Sequence, residues 1–402
     1  MPKQPFAVLQ LINNLDIGGA QEVVRTLAAY LPETGCRPVV CSFKDGPLRQ
    51  EIERLGVPVE IIPGRRFSML SFPHNIRELW RIRQALADLI VKYEIQIIQT
   101  HLLRSLDFLV LTLRNRSHIP LVFWTIHNSN FELQPQHLST HHWLLKPKQL
   151  GYRLLYRLLT RWVSGFIAVS ADVKTALRNN LGLAEAKITV ICNGVDLQRY
   201  SHGIDRVRIR EQLGLGNKAQ VLVMVATFKE QKGHHHLIAA LAPIISDWPQ
   251  LQVLLAGDGP LKPEIEEQVR ALGLTAQVHF LGSRSDVRDL LVASDYFVLP
   301  SLWEGLPMAL IEAMASGLPI ISSDVSGTRQ VMVPNETGLM VPPGDVARLR
   351  EAIVGFLGEP QKAMVMGAAA RRRVEACFSA EKQAEEHARL YRQVGLEANT
   401  VR

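Results

Sequence analysis

Two carboxylates with seven residues between them, Glu304 and Glu312, stand in the stretch Pro300-Ser301-Leu302-Trp303-Glu304-Gly305-Leu306-Pro307-Met308-Ala309-Leu310-Ile311-Glu312-Ala313-Met314-Ala315-Ser316-Gly317. Glu304 lies in a loop that follows the apolar run Tyr296–Leu299, and Glu312 falls one to two turns inside an apolar helical run. Acidic side chains are rare on buried helix faces unless they have a partner. A carboxylate near the start of a helix, behind a strand, can accept hydrogen bonds from a diol such as a ribose. The loop Gly305-Leu306-Pro307-Met308 brings backbone N–H groups to a helix N-terminus, where anions bind. Pro307 itself has no N–H to give. These residue types point to a site for a nucleotide sugar.

Other chemistry-bearing residues fall at comparable places. Gly18-Gly19 follows the first apolar run and opens a helix. Adjacent glycines allow a tight turn and close approach of backbone to a ligand, with phosphate as one occupant and a plain structural turn as the alternative. The turn is not G-x-G-x-x-G, which disfavours a redox dinucleotide. His127 follows the run Leu121–Thr125, and His101 ends the preceding one. Ligands gather at the carboxyl ends of parallel strands. A histidine there can donate to a sugar hydroxyl or stabilise a partial charge, with His127 the stronger candidate and a hydrogen-bonded loop histidine the alternative reading. Lys229, Lys232 and Gly233 precede a helix that starts at His234. Lysine is a compact cation suited to diphosphate, although loop lysines are also often simply solvated. In the run His234-His235-His236 neighbouring helical side chains diverge, so the three cannot hold one ion. The chain has no Asp-x-Asp, which removes the usual carboxylate pair for a catalytic divalent cation. No metal or cofactor is expected; lysines and helix dipoles are left to neutralise a diphosphate.

The elements that must position these groups are legible in the pattern. A chain of 402 residues favours two domains. With 47% hydrophobic and 21% charged residues it has material for two cores. Short apolar runs at Ala7–Ile12, Pro38–Ser42, Val59–Ile62, Ile95–Gln99, Leu121–Thr125, Phe166–Val169 and Ile188–Ile191 predict one series of strands. Gln220–Ala226, Gln252–Ala256, Val278–Leu281, Tyr296–Leu299, Pro319–Ser322 and Gly338–Val341 predict a second. Runs without polar alternation imply strands buried on both faces, and helical stretches between them imply crossover units in parallel sheets. The expected fold class is α/β, with two doubly wound parallel-sheet domains. The Asn193-Gly194 turn marks the seam. The expected boundaries are 1–197, 198–375, and a C-terminal helix over 376–402 that packs back on the first domain.

Composition bounds the partners. Residues 1–200 carry 24 Lys and Arg against 15 Asp and Glu, whereas residues 201–402 carry 21 against 23. A basic half beside a near-neutral half favours an anionic partner, a membrane surface or a phosphate-bearing acceptor, or else is only a solvated surface. No nucleic-acid-binding motif is present. Leu150, Leu154, Leu155, Leu158, Leu159 and Trp162 form an apolar stripe beside the row Arg153, Arg157 and Arg161. Such a helix either rests on anionic lipid or turns its stripe to the core. No apolar run approaches the roughly 18 residues of a membrane span. The N-terminus reads as a first strand rather than a signal peptide. Cys36, Cys41, Cys192 and Cys377 lack metal or disulfide spacing, as expected of reduced thiols in a cytoplasmic protein.

Read together, these motifs resemble the large family of retaining glycosyltransferases with two facing Rossmann-like domains (the GT-B architecture), the family-four group of bacterial polysaccharide and lipid glycosylation. The resemblance covers nearly the whole chain. Glu304 and Glu312 match its Glu-x7-Glu pair, Gly18-Gly19 its N-terminal Gly-rich loop, His127 its donor-sugar histidine, and Lys232-Gly233 its phosphate-site lysine. Asn193-Gly194-Val195-Asp196 matches its inter-domain turn, and Ala256-Gly257-Asp258-Gly259 a turn after a C-domain strand. Two places depart from it. Ala226-Thr227-Phe228 stands where the family often has Gly-Arg-Leu, so the diphosphate arginine is missing and Lys229 is the candidate replacement. Thr328-Arg329-Gln330 stands where a Gly and later a Glu are usual.

The resemblance implies a UDP- or GDP-sugar donor held mainly by the second domain. Glu312 would take the ribose, Lys232 and Lys229 the diphosphate, and Glu304 the donor sugar, beside Gly305, Leu306, Pro307 and Met308. His127 and Gly18-Gly19 would close over sugar and phosphate. The acceptor would be a saccharide or lipid-linked saccharide, met at loops such as Ser68–Asn75 and Ser129–His142. The protein would be cytoplasmic, at the inner face of the membrane. The rivals are a nucleotide-sugar epimerase on the same fold and a non-catalytic nucleotide- or polysaccharide-binding module.

Overall fold

The computed structural model describes residues 6–63, 76–101, 105–113, 120–127, 160–200, 205–216 and 218–400, together with 154, 157 and 158. The chain divides into two compact units, Met1–Asn193 with Ala380–Arg402, and Gly194–Ser379.

The first unit holds a parallel sheet of β1 (Phe6–Ile12), β2 (Cys36–Ser42), β3 (Val59–Ile61), β4 (Ile97–His101), β5 (Leu121–Ile126), β6 (Gly165–Ala168) and β7 (Ile188–Val190) in the order β3-β2-β1-β4-β5-β6-β7. The second holds β8 (Gln220–Val225), β9 (Leu251–Ala256), β10 (Val278–Gly282), β11 (Tyr296–Leu299), β12 (Ile320–Ser323) and β13 (Leu339–Val341) in the order β10-β9-β8-β11-β12-β13. Every apolar run singled out in the sequence becomes a strand, and the pairing is parallel throughout. Each unit is therefore a Rossmann-like doubly wound sheet. The strand order reverses direction between β1 and β4 in one sheet and between β8 and β11 in the other. In open α/β sheets the ligand crevice forms outside the carboxyl ends of strands at such switch points. The segments that follow β1, β8 and β11 carry Gly18-Gly19, Lys229 with Lys232, and Glu304, and His101 is the last residue of β4.

One strand boundary moves in a way that matters. β4 runs over Ile97–His101 rather than Ile95–Gln99. The preceding helix, Ile76–Lys92, unwinds through Glu94 at a positive φ of 52°, and the Ile95 N–H still donates to the Ile90 carbonyl. The strand starts two residues later and carries His101 into the sheet, paired with Ile12 on one side and Thr125 on the other.

Both sheets bury apolar side chains on their faces. Trp124 meets Phe108 and Phe166 edge-on, at centroid separations of 5.4 and 5.6 Å, geometries favoured by the ring quadrupoles. In the second unit Leu222, Met224, Val253, Leu255, Val298 and Ile321 form the sheet's share of a core closed by Leu237, Leu241, Ile353 and Phe356 from helices. The helix Ala380–Thr400 belongs to the first unit. It buries Ala384, Ala388 and Tyr391, sets the Tyr391 ring 5.4 Å from Phe123, and places Arg392 on the Thr34 carbonyl. All four cysteines are free thiols.

Leu154 and Leu158 are exposed, and the rest of the stripe over 150–159 lies outside the described residues, as do the segments 68–75 and 129–142. Among the described residues no helix is long and apolar enough to cross a membrane.

Because Tyr391 and its helix complete the first unit's core, a chain ending at Ser379 is expected to lose the first unit selectively. Limited proteolysis should cleave it within 6–193 and leave 194–379 intact, whereas the full chain should resist cleavage in both.

Candidate active site

In the second unit the site is assembled from two loops that follow adjacent strands. After β8, Lys229 is extended and exposed, and one tight turn over Glu230–Lys232 leads to Gly233 at φ 72°. A Cβ on Gly233 would lie 2.1 Å from the Pro300 carbonyl oxygen, so only glycine lets this turn rest directly on the end of β11. The two loops are then laced together. The Leu302 N–H donates to the Gln231 carbonyl at 2.8 Å, and the Gln231 side-chain amide donates to the Trp303 carbonyl at 2.8 Å. Lys232 Nζ reaches Glu304 Oε1 at 2.6 Å, and Ser301 Oγ donates to the same oxygen at 2.7 Å. Among the described residues Glu304 Oε2 has only the Gln231 amide, 3.5 Å away. On its far side the Glu304 loop meets Gly327, where a Cβ would fall 2.7 Å from the Gly305 carbonyl oxygen. The loop is thus clamped between two glycines, and the Glu304 side chain is 5% exposed beside an ammonium that is 19% exposed.

Gly305, Leu306, Pro307 and Met308 are buried behind it, and Pro307 is the N-cap of the helix Met308–Ala315. The first-turn amides of that helix have no carbonyl within it to bond. Glu312 lies on the fifth residue of the helix and is 9% exposed. The structure therefore brings Lys232, Glu304 and the Gly305–Met308 segment into one place and sets Glu312 on the helix leading away. Lys229 stands three residues before Lys232 with its side chain in solvent.

The two departures from the family pattern have structural counterparts. Phe228 is fully buried and stacks on His234 at 4.1 Å, so the third residue of Ala226-Thr227-Phe228 serves the core. Thr328 is buried, receives the Val325 N–H at 3.2 Å and donates to the Ser323 carbonyl at 2.5 Å, closing the start of the helix Ser326–Val331. The three consecutive histidines diverge. His234 points inward, where burial, then Lys232 and His235, push its pKa down to about 4. His235 meets Gln268 at 2.9 Å, and His236 sits near Gly233. Among the described residues no group of three or more His, Cys, Asp or Glu is placed to hold a metal ion.

In the first unit Gly18 caps the helix Gly19–Tyr30. Its φ of −179° is extended, and neither glycine of the pair adopts a positive φ. The conformational freedom expected of Gly18-Gly19 is thus not used; at Gly18 the absent Cβ makes room for the Gln21 side chain, whose amide donates to Asn14 at 2.6 Å. His127 follows β5 and is partly buried, with its Nε2 3.1 Å from His101 Nδ1. Burial, then the neighbouring His387, push its pKa down to about 4. His101 is fully buried rather than open at a strand end, and burial, then His127 and His387, hold its pKa well below the usual value.

Ser301 and Gln231, which hold Glu304 and its loop, were not singled out in the sequence. Ser301 lies three residues before Glu304 and Gln231 directly before Lys232, but nothing in those spacings marks the Ser301–Glu304 bond or the bond from Gln231 to Trp303 across 72 residues.

Comparison with known proteins agrees with the two-sheet fold. Residues 205–373 match the family described as glycosyl transferases group 1, and residues 17–199 match glycosyltransferase family 4. The Bacillus subtilis protein EpsF is 27% identical over 322 residues, 79% of each chain. The Escherichia coli UDP-Gal:alpha-D-GlcNAc-diphosphoundecaprenol alpha-1,3-galactosyltransferase is 30% identical over 240 residues, 59% of this chain and 60% of that enzyme. Among solved structures, the Anabaena protein HepE in complex with UDP and glucose superposes with a TM-score of 0.78 at 24% identity, covering 95% of this chain and 98% of that one.

Two outcomes follow from the geometry. Removing the cation beside a buried carboxylate leaves an uncompensated charge. Lys232→Ala should cost about 1–3 kcal/mol in chemical denaturation, less than a fully buried pair because Lys232 retains some solvent. Adding Glu304→Gln to it should recover most of that loss. For pH, the folded pKa values of His127, His234 and His387 are about 4 against an ordinary 6.5. The unfolded chain binds more protons between those values, so stability is full above pH 6.5 and falls as pH drops towards 4. The melting temperature should decline from pH 7 to pH 5, and His387→Leu should flatten the decline.

Proposed function

The chain belongs to the group 1 glycosyl transferases, with a family 4 N-terminal region; on that premise we propose that it moves a sugar from a nucleotide-diphosphate donor to a saccharide or lipid-linked acceptor, with retention of anomeric configuration, in polysaccharide or glycolipid synthesis. The observation that carries the reading is the buried Lys232–Glu304–Ser301 cluster, set against a helix N-terminus at a strand switch point.

In this reading the donor diphosphate lies at the start of the helix Met308–Ala315, where first-turn amides and the helix dipole favour anions. Lys232 supplies a cation: an ammonium has three donors, and one already lies on Glu304. Lys229 adds a second positive charge in the place of the absent arginine. Glu312 accepts the ribose hydroxyls. Glu304, held by Lys232 and Ser301, presents a carboxylate of defined orientation to the donor sugar, and His127 and the Gly18-Gly19 loop are assigned to the sugar and the phosphate by the family resemblance. The C1–O bond to the leaving phosphate breaks and a bond from C1 to the acceptor oxygen forms on the same face. The departing phosphate oxygen takes the acceptor's proton, and the lysines and amides stabilise the charge that develops on it.

The donor base is assigned first to uracil. The E. coli relative's name specifies UDP-Gal, and HepE was solved with UDP and with UDP-glucose. The excess of basic residues in the first half, 24 against 15 acidic, supports an acceptor that carries phosphate.

A thermal-shift screen against UDP, GDP, ADP and their sugars identifies the donor, since a ligand bound only by the folded state raises the melting point. With that donor, Glu312→Ala should weaken binding at least about tenfold through the loss of charge-assisted hydrogen bonds. Glu304→Ala should mainly lower kcat. Turnover should persist in EDTA, and NMR of the product should show the donor's anomeric configuration. Near-wild-type rates in both variants would remove the assignment, and epimerised donor without acceptor would replace it with an isomerase.

A further inference from the structure

A run of polar side chains is buried beneath His127, inside the first unit's sheet. From the C-terminal helix, the Tyr391 hydroxyl donates to Gln99 Oε1. The Gln10 amide nitrogen donates to the same oxygen at 3.2 Å, and the Gln99 amide nitrogen donates to Thr125 Oγ1 at 2.6 Å. Gln10 Oε1 lies 2.7 Å from His101 Nε2, and His101 Nδ1 lies 3.1 Å from His127 Nε2. Gln10, Gln99, His101 and Tyr391 are all 0% exposed. A buried polar group left without a partner costs about 1–3 kcal/mol, so a chain of this length has to be satisfied in one consistent direction.

We propose that His101 is a positioning residue for His127, and that the Tyr391–Gln99–Gln10 chain behind it sets which nitrogen of His127 carries the proton. The inference deepens the reading of His127 as the histidine that meets the donor sugar, and rests on it. The direction follows link by link. Gln99 Oε1 accepts from both Tyr391 and Gln10. The Gln10 amide nitrogen is thereby turned towards Gln99, which leaves its Oε1 facing His101. An amide oxygen can only accept, so His101 carries its proton on Nε2. A neutral imidazole has one N–H, so His101 Nδ1 is an acceptor, and the group opposite it, His127 Nε2, must donate. Burial keeps both rings neutral. His127 therefore has Nδ1 as its remaining polar atom, and that atom is a lone pair. It offers a sugar an acceptor for a hydroxyl proton, in place of the donor that a histidine at a strand end supplies equally well.

A third histidine reinforces the arrangement. His387, one turn before Tyr391 on the same helix, donates from Nδ1 to the Gln383 carbonyl at 2.8 Å, and its buried Nε2 has no hydrogen-bond partner among the described residues. His387 is near enough to disfavour a positive charge on His101 or His127.

The test reads protons directly. The full-length protein, labelled with ¹⁵N-histidine and without ligand, is examined by long-range ¹H–¹⁵N NMR at pH 7.5, with His101→Gln and His127→Gln used for assignment. Both His101 and His127 should show a protonated Nε2 and an unprotonated Nδ1. His101→Leu should leave His127 a mixture of tautomers, and His101→Gln, whose amide oxygen can replace the Nδ1 acceptor, should restore the single form. With the donor selected by the screen above, His101→Leu should lower kcat on the order of tenfold, the scale of a misoriented group, while nucleotide affinity stays within about twofold. A protonated Nδ1 on His127 in the wild type overturns the proposal, and so does an unchanged kcat in His101→Leu. If His101→Leu does not fold, the wild-type tautomer decides. If instead His127→Gln keeps full turnover, the sugar-facing role of His127 fails while the tautomer result stands independently.

Discussion

Burying the Glu304 carboxylate to 5% exposure at the end of a strand costs several kcal/mol unless its charge is matched at close range. Lys232 at 2.6 Å and Ser301 at 2.7 Å supply that match, and much of the second unit's local architecture follows from keeping them there. The lysine arrives on a turn that can lie flat on β11 only because Gly233 has no side chain. The carboxylate arrives on a loop that Gly327 lets the next helix press against. The backbone bond from Leu302 to Gln231 sets the spacing of the two loops. A substitution that thickened any of these approaches would separate charge from countercharge before it touched a ligand.

The same physics works in the first unit with neutral groups. Gln10, Gln99 and His101 occupy positions that the sheet otherwise fills with Val, Ile, Leu and Phe, Tyr391 joins them from the C-terminal helix, and they are tolerated because each is satisfied by the next. The C-terminal helix is part of that chain, through Tyr391 and His387. A segment nearly three hundred residues from β4 in sequence thereby helps determine the chemistry of a histidine after β5. Both units use one plan, in which polar groups collect at the carboxyl ends of strands around the reversal of strand order and apolar layers hold them still.

The strands were legible because parallel sheets covered on both faces need continuous Val, Ile and Leu runs, and such runs announce themselves without a partner. Glu304, Glu312, Lys232 and His127 were legible because ionisable or polar residues at strand ends and helix starts are conspicuous in apolar surroundings. Other features were hidden for definite reasons. Ser301 and Gln231 are ordinary loop residues whose importance is a distance. The apolar run was bounded at Ile95–Gln99, whereas the unwinding at Glu94 delays the strand by two residues and pairs His101 within the sheet, a detail of backbone geometry that composition does not carry. Gly18-Gly19 was read as a tight turn open to close approach of a ligand, yet the Gly18 backbone is extended and the space beside it is what Gln21 needs.

Sequence by itself determined the two parallel sheets, their helical crossovers and the chemical types present at the strand ends, since periodicity and residue chemistry are local properties. Which of those groups touch was decided only by the folded chain. The pairing of Lys232 with Glu304, and of Tyr391 through Gln99 and Gln10 with His101, spans from 72 to 292 residues. Pairings of that separation depend on strand order, register and close backbone approach, and these exist only once the sheets have formed.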